Sequence, residues 1–346
     1  MSVSESVNAP EFTSQRSGHA RKLWLLLAVL FAALVAAVNV GAIPLSLWEL
    51  LTLEASALER TVFVDIRAPR VVLAAFVGGV LALAGAALQG LFRNPLADPG
   101  LIGVSAGAAL GAIAFIVLGD ALALPEPAIP FALPLMAVAG ALLVTAFLYS
   151  FAAWFGQFSM VTLLLVGIAV NALATVGIGA FQYLSDDQQL RTLVFWMMGS
   201  FGRAGWATTL PAVAIMVCAS AWLLRYGRGL DLLQLGEAEA SFLGVDVDRL
   251  KRVVILTAAA AVGAGVALSG IIAFVGLVVP HLVRLLIGPA HRLLLPGSIF
   301  LGAAIMVTAD LIARTIITPA ELPVSLVTSA IGAPFFLWLI ARMRPA

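Results

Sequence analysis

The chain has 346 residues, of which 62% are hydrophobic and only 11% charged, and its mean hydropathy is +1.09. Soluble domains carry about 25% charged residues, so this composition excludes one and points to a polypeptide dissolved in lipid. A net charge of +1 without a basic cluster excludes a nucleic-acid partner, and the single cysteine, Cys218, excludes internal disulfides and cysteine-rich metal sites.

Crossing the hydrocarbon core takes about 20 apolar residues. Windows of that length, broken at charged or Pro/Gly clusters, predict ten helices at 23–43, 69–91, 99–118, 131–155, 159–182, 207–226, 250–269, 271–288, 296–316 and 322–341. The expected fold class is therefore all-α and polytopic, with residues 1–22 as a polar tail and 23–346 as the membrane domain. Arg21 and Lys22 resemble the opening of a signal peptide, but the apolar run behind them is too long, so it reads as a retained first helix. Placing the N-terminus inside assigns 13 of the 19 Lys and Arg residues to inner loops and 6 to outer ones. Both termini are accordingly expected in the cytoplasm.

Arg67 and Arg70 flank Pro69 at the outer start of the second span. The inner turn that follows that span, RNPLADPGLIG from Arg93 to Gly103, spends two prolines, Asn94 and Asp98 on a short gap. Pro95 and Pro99 cannot donate backbone hydrogen bonds, and Asn94 and Asp98 are natural caps, with Asp98-Pro99 expected to open the third span. The residues alone read equally as a tight turn or as an element held in place for a task. Gly103, Gly107 and Gly111 form a doubled GxxxG in the third span, which reads as close helix packing. Gly167, Asn171, Thr175 and Gly179 in the fifth span are spaced by four, a small and partly polar face that either seals a contact or lines a watery path. Cys218 sits inside the sixth apolar run and reads as a buried thiol.

The longest inner polar segment runs from Arg225 to Arg252. Within it LDLLQLGEAEASFLG reads as two short amphipathic helices hinged near Gly236, with Leu232, Leu233, Leu235, Ala240 and Leu243 at helical spacing. Glu237, Glu239, Asp246 and Asp248 would be repelled by an anionic leaflet, so the pair is expected to dock on a protein. His281, after Pro280, reads as a helix-end residue. Asp310 and Arg314 are one turn apart in the ninth span; they either neutralise each other or do work. Matches at an offset of 185, such as Gly85 with Gly270, are too isolated to define a repeat.

No GxxxxGK[ST] loop occurs, so any ATP-driven work needs another subunit. HExxH, GxSxG and clustered His/Asp/Glu patterns are also absent, and His19, His281 and His291 lie far apart, so no catalytic residue, metal site or cofactor is expected.

Several blocks, in order, carry a resemblance. They are IRAPR (Ile66 to Arg70), ALQGLFRNPLADPGLIGVSAGA, FWMMGSFGRAGW (Phe195 to Trp206), LGEAEASFLGV, GIIAFVGLVVPHLVR, and ADLIAR followed by ELPVSLVTSAIGAPFF. With them the chain resembles the permease subunit of bacterial type II ABC importers for iron-siderophores, haem and cobalamin. The resemblance implies a homodimer in the inner membrane with a translocation path on its two-fold axis, two ATP-binding subunits on the cytoplasmic side and a periplasmic binding protein. It implies that Arg67, Arg70 and Arg314 dock that binding protein, and that Gly236, Glu237, Ala240, Leu243 and Gly244 belong to coupling helices seated on the ATPase, in the loop at about 229–246. Asn94 and Leu96 fall on the turn that helps close the inner end of the path, and the Gly167/Asn171/Thr175 face of the fifth span looks into it. Met160 and Val161 match an inner gate that carries small hydroxyl residues in the cobalamin member. The stretch Ser185 to Trp206 is most similar to haem importers, with Arg191 and Arg203 as expected substrate contacts; ferric siderophores and cobalamin stay open as cargo. An ion-coupled secondary transporter, the rival of another class, needs a membrane-embedded acid at midplane beside a broken helix, for which only Asp310 qualifies.

Overall fold

The computed structural model describes residues 10–41, 43, 46, 48–49, 52, 55–154 and 160–342. Among them there is no strand, as expected where lipid forces every backbone group to find its partner within its own segment. The chain runs through α1 (Pro10–Asn39), α2 (Ala57–Thr61), a π-helical turn (Val62–Arg67), α3 (Ala68–Leu91), α4 (Val104–Leu118), α5 (Ile129–Trp154) and α6 (Met160–Leu184). It continues through α7 (Asp187–Met197), α8 (Trp206–Leu224), α9 (Gly227–Leu233), α10 (Glu237–Phe242), α11 (Val247–Ser269), α12 (Val275–Ile287), α13 (His291–Thr315) and α14 (Val324–Arg342). Among the described residues eight segments are long and apolar enough to cross a membrane, and Val275–Ile287 and Val324–Leu339 are shorter apolar helices, so each of the ten expected spans has its helix.

Three boundaries differ from expectation for local reasons. α1 is already helical at Pro10, inside the segment read as a polar tail, because hydropathy marks only the part of a helix that lies in hydrocarbon. Asp98 caps a 3₁₀ turn at Pro99–Ile102 rather than the third span itself; Gly103, left-handed at φ 75°, separates that turn from α4. The eighth span is helical only from Val275, because Gly270 (φ 72°) and Phe274 (φ 67°) break the backbone on either side of an extended stretch. Such irregular backbone is tolerated at membrane depth where protein covers it, and Ile272 is buried. α7 lies outside the expected spans; Asp186 and Gln189 cap its first turn reciprocally.

α3 is the core of the bundle, buried along nearly its whole length. Glycine lets its backbone touch its neighbours: Gly78 meets Gly302 of α13, and Gly85 meets Gly276 of α12. The doubled GxxxG works the same way between α4 and α5, where a Cβ on Gly107 would sit 2.5 Å from the Gly140 carbonyl. Replacing Gly85 with Ala drives a methyl group into the Gly276 backbone, so a loss of about 1–3 kcal/mol is expected, read as a lower unfolding midpoint in detergent. Cys218 is exposed on α8, not buried as expected, because an apolar run is equally at home facing lipid or protein.

Candidate functional site

The bundle has two polar ends. The hairpin end carries α9, α10 and the Arg93–Gly103 turn; the arginine end carries Arg67, Arg70 and Arg314.

At the hairpin end, Leu230, Leu233 and Ala240 turn inward and are fully buried. Gly236 (φ 133°) makes the bend between α9 and α10, and Gly244 (φ 86°) ends α10 by sending the Val245 N–H back to the Ala240 carbonyl at 3.0 Å. Both angles suit glycine and penalise any other residue. The hinge expected near Gly236 is thus present. Apolar side chains are left over: Leu235 is exposed, and so are Phe242 (91%) and Leu243 (58%) at the tip. Glu237 does not face outward alone, since Lys251 donates to its carboxylate at 2.7 Å.

Three residues that the sequence reading did not single out fasten this hairpin to the bundle. The backbone N–H of His291 donates to Asp231 Oδ1 at 2.7 Å, and its ring Nδ1 lies 2.8 Å from the same oxygen. Burial disfavours the Asp231 carboxylate, but the ring and backbone hydrogen bonds from His291 outweigh it and hold its pKa below the ordinary carboxylate value. Gln234 Nε2 donates to the Gly90 carbonyl at 2.8 Å, satisfying one of the last carbonyls of α3. Asp231 and His291 are 60 positions apart, so no local pattern announces them.

The Arg93–Gly103 turn is held from within. Asn94 caps no helix; its Oδ1 accepts from the Leu96 N–H at 2.9 Å. Asp98 Oδ1 accepts from the Gly100 N–H at 2.8 Å, and burial nonetheless pushes that carboxyl above its ordinary pKa. Asn171 on α6 donates to the Gly100 carbonyl at 3.1 Å, so the turn and the fifth span are tied together. Pro95 and Leu96 line a small cavity together with Leu277 and His281 of α12 and Phe335 of α14. His281 therefore sits mid-helix in α12, not at a helix end, with its Nε2 buried and unpartnered among the described residues.

The spaced-by-four stripe on α6 does not form one face. Each step of four turns about 40° around a helix. Gly167 is consequently buried, Asn171 is turned to the Gly100 loop, and Thr175 and Gly179 are exposed together with Leu165, Ile168, Leu173, Val176 and Tyr183. The side chains of Met160 and Val161 lie outside the described residues.

At the arginine end the three cations are not an open patch. Arg67 is 5% exposed and Arg70 8%. The π-helical turn carries one extra residue per turn and swings Arg67 onto the end of α1, where Nη1 donates to the Val38 carbonyl at 2.6 Å, and Nη2 donates to the carbonyl of Ile43 just beyond that helix. Arg314 donates to the Ala37 carbonyl. Arg70 holds Asp310 through Nε (3.0 and 3.1 Å) and Nη2 (2.8 Å) and holds Glu321 through Nη1 (2.8 Å). Arg314 reaches Asp310 only at 3.8 Å, so the neutralising partner of Asp310 is chiefly Arg70 rather than the residue one turn away. Asp310 is only 1% exposed and already paired near the end of α13, which leaves it poorly placed as a midplane ion carrier.

Arg203 and Arg191 separate. Arg203 lines a cleft of about 500 Å³ with Phe115, Phe195, Trp196 and Pro134, whereas Arg191 is exposed on α7 outside that lining. No group of three or more His, Cys, Asp or Glu residues that would hold a metal ion occurs among the described residues.

Comparison with known proteins places this architecture. Residues 25–342 match the FecCD transport family. The chain is 45% identical over 331 residues to the hemin transport system permease protein HmuU of Yersinia pestis, covering 93% of this chain and 96% of that one. It is 44% identical over 276 residues to the cobalamin import system permease protein BtuC of Halobacterium salinarum, covering 80% and 72%. Its fold superposes on a solved inward-facing metal-chelate type ABC transporter with a TM-score of 0.84 at 33% identity, covering 94% of this chain and all of that one. The chain, with ten apolar helices among its described residues and a docked α9–α10 hairpin, belongs to the FecCD transport family and is a membrane permease of the type II ABC importer class.

Proposed function

We propose that two copies of this chain form the membrane path of a haem importer in the bacterial inner membrane, with both termini in the cytoplasm. The observation that carries the ATP-driven part is the exposed apolar tip, Leu235, Phe242 and Leu243, on a hairpin whose other side is bonded to the bundle. An apolar surface at a polar end, on a rigid support, suits a groove in each of two ATP-binding subunits. Gly236 and Gly244 give the hairpin its shape, Ala240 its inner packing, and Glu237 its tie to Lys251.

The exposed face of α6 is assigned to the path, with Thr175 on it, Asn171 linking it to the Asn94–Leu96 turn, and Met160 and Val161 at the inner gate. Haem is favoured by the 45% identity to a hemin permease and by the apolar cleft with Arg203 at its wall, which suits a flat ligand bearing carboxylates. Cobalamin is the second reading, because a cobalamin permease is nearly as similar, at 44% identity. A periplasmic binding protein docks at the arginine end by exchange: its acidic residue takes over Arg70 Nη1 from Glu321, the solvent-facing member of the cluster, while Asp310 stays in place. Arg67 and Arg314, which donate to backbone carbonyls, turn donors to the partner's other carboxylates.

The test is uptake into proteoliposomes holding the permease, its ATPase and its binding protein. Haemin uptake is expected to need ATP and to persist when ionophores collapse the proton gradient. Loss of uptake with the gradient would instead favour ion-coupled transport, and uptake of cyanocobalamin without haemin would favour the second reading.

A further inference from the structure

We infer that Asp231, Gln234 and His291 are positioning residues that lock the α9–α10 hairpin to α3 and α13, and that these two helices carry its movement to the arginine end as one tied pair. The inference rests on the hairpin being the ATPase contact. Its geometry is independent of cargo.

The lock at the hairpin end is double. His291 is the first residue of α13, and both its backbone N–H and its ring engage one oxygen of Asp231 on α9. The edge of the same ring that bears Nε2 lies against Gly90 in the last turn of α3, at a place where no Cβ fits. Gln234, just past α9, donates to the Gly90 carbonyl. One turn of the hairpin therefore grips the last turn of α3 and the first turn of α13 together. If the hairpin slides, the His291 ring nitrogen loses its carboxylate partner and the Gly90 carbonyl loses its side-chain donor, which resists sliding.

The pair it grips is fastened again twice. Midway, Gly78 and Gly302 bring the backbones of α3 and α13 into contact, so neither helix can rotate without a clash. At the far end Arg70, in the first turn of α3, makes three hydrogen bonds to Asp310, near the last turn of α13. Bonded at both ends and interlocked between, the two helices move as a unit, because packed interfaces switch between discrete arrangements rather than deform smoothly. The other tie from the hairpin, Glu237 to Lys251, runs to α11 rather than to the α3–α13 pair, and its carboxylate is more exposed than that of Asp231. The arginine network is then the receiving end of the strut, which accounts for its burial.

The experiment compares wild type with Asp231→Ala, Asp231→Asn and Gln234→Ala in the reconstituted complex with ATPase and binding protein. It reads three quantities: ATPase bound per permease, basal ATP hydrolysis, and haemin taken up per ATP hydrolysed. Asp231→Ala is expected to keep the first within about two-fold and to lower uptake per ATP about ten-fold, the size of a typical coupling between sites. Asp231→Asn keeps an acceptor for both His291 donors, so it should restore most of the ratio. Gln234→Ala, at an exposed side chain that tolerates truncation, should lower it about five-fold, the lower end of that range. An unchanged ratio in Asp231→Ala overturns the inference, as does an Asn variant as damaged as the Ala variant. If Asp231→Ala does not fold, Gln234→Ala decides alone, and an unaltered ratio there overturns it. A wild-type complex that fails to bind the ATPase contradicts the proposed function instead.

Discussion

Leu243→Arg is expected to abolish co-purification of the ATP-binding subunit while leaving the permease as stable as before. Leu243 and Phe242 stand out from the end of α10 with little of this chain against them, so the substitution removes almost no packing from the folded protomer. In a complex the same side chain enters an apolar contact, where a guanidinium must shed its water without an acceptor. Truncating a central anchor typically costs 2–4 kcal/mol, and an unpaired buried charge costs at least as much, so affinity should fall by about 100-fold or more. Ala240→Arg would be uninformative by contrast, because Ala240 is fully buried and its replacement would dismantle the hairpin itself. The pair of readings that matters is ATPase recovered on an affinity-tagged permease and the unfolding midpoint of the permease alone. Undiminished recovery with an unchanged midpoint would remove the hairpin tip from the interface.

What the sequence made legible was whatever a local pattern encodes. Ten helices followed from hydropathy because the hydrocarbon core sets their length, and the α9–α10 hairpin followed from apolar spacing around a glycine. The boundaries that slipped, at α4 and α12, turn on single residues with positive φ, Gly103, Gly270 and Phe274. Hydropathy carries no information about those angles. Hydropathy also treats lipid and protein as the same solvent, which is why Cys218 reads as buried, whereas the stripe on α6 reads as one face because a spacing of four neglects the drift of about 40° per step. α7 was readable in principle, since Asp186 and Gln189 form a capping box three residues apart. The clamps were not. Asp310 had a cation one turn away in the sequence, yet its main partner, Arg70, comes from 240 positions earlier, and the Asp231–His291 bond joins two helices with no shared motif.

Arg70→Met is expected to cost the fold about 3–5 kcal/mol, the usual price of stranding a buried charge. Asp310 is 1% exposed and would keep only Arg314, whose Nε stands 3.8 Å away and whose Nη2 is committed to the Ala37 carbonyl. Asp310→Leu should cost a similar amount, because it strands Arg70 with only Glu321 at the rim. The double variant should recover much of that loss: with both charges gone, methionine and leucine fill an apolar site and no desolvated ion remains. Glu321→Gln should shift stability by less than about 1 kcal/mol, since its carboxylate is half in solvent and exposed pairs are weak. Unfolding in detergent, followed by near-ultraviolet circular dichroism for the wild type and the four variants, measures all of these terms. Losses that simply add in the double variant would mean that Arg70 and Asp310 are not energetically coupled. Strong coupling between them, with a near-silent Glu321, is the signature of a clamp whose inner half holds the helices and whose outer half is free to change partners.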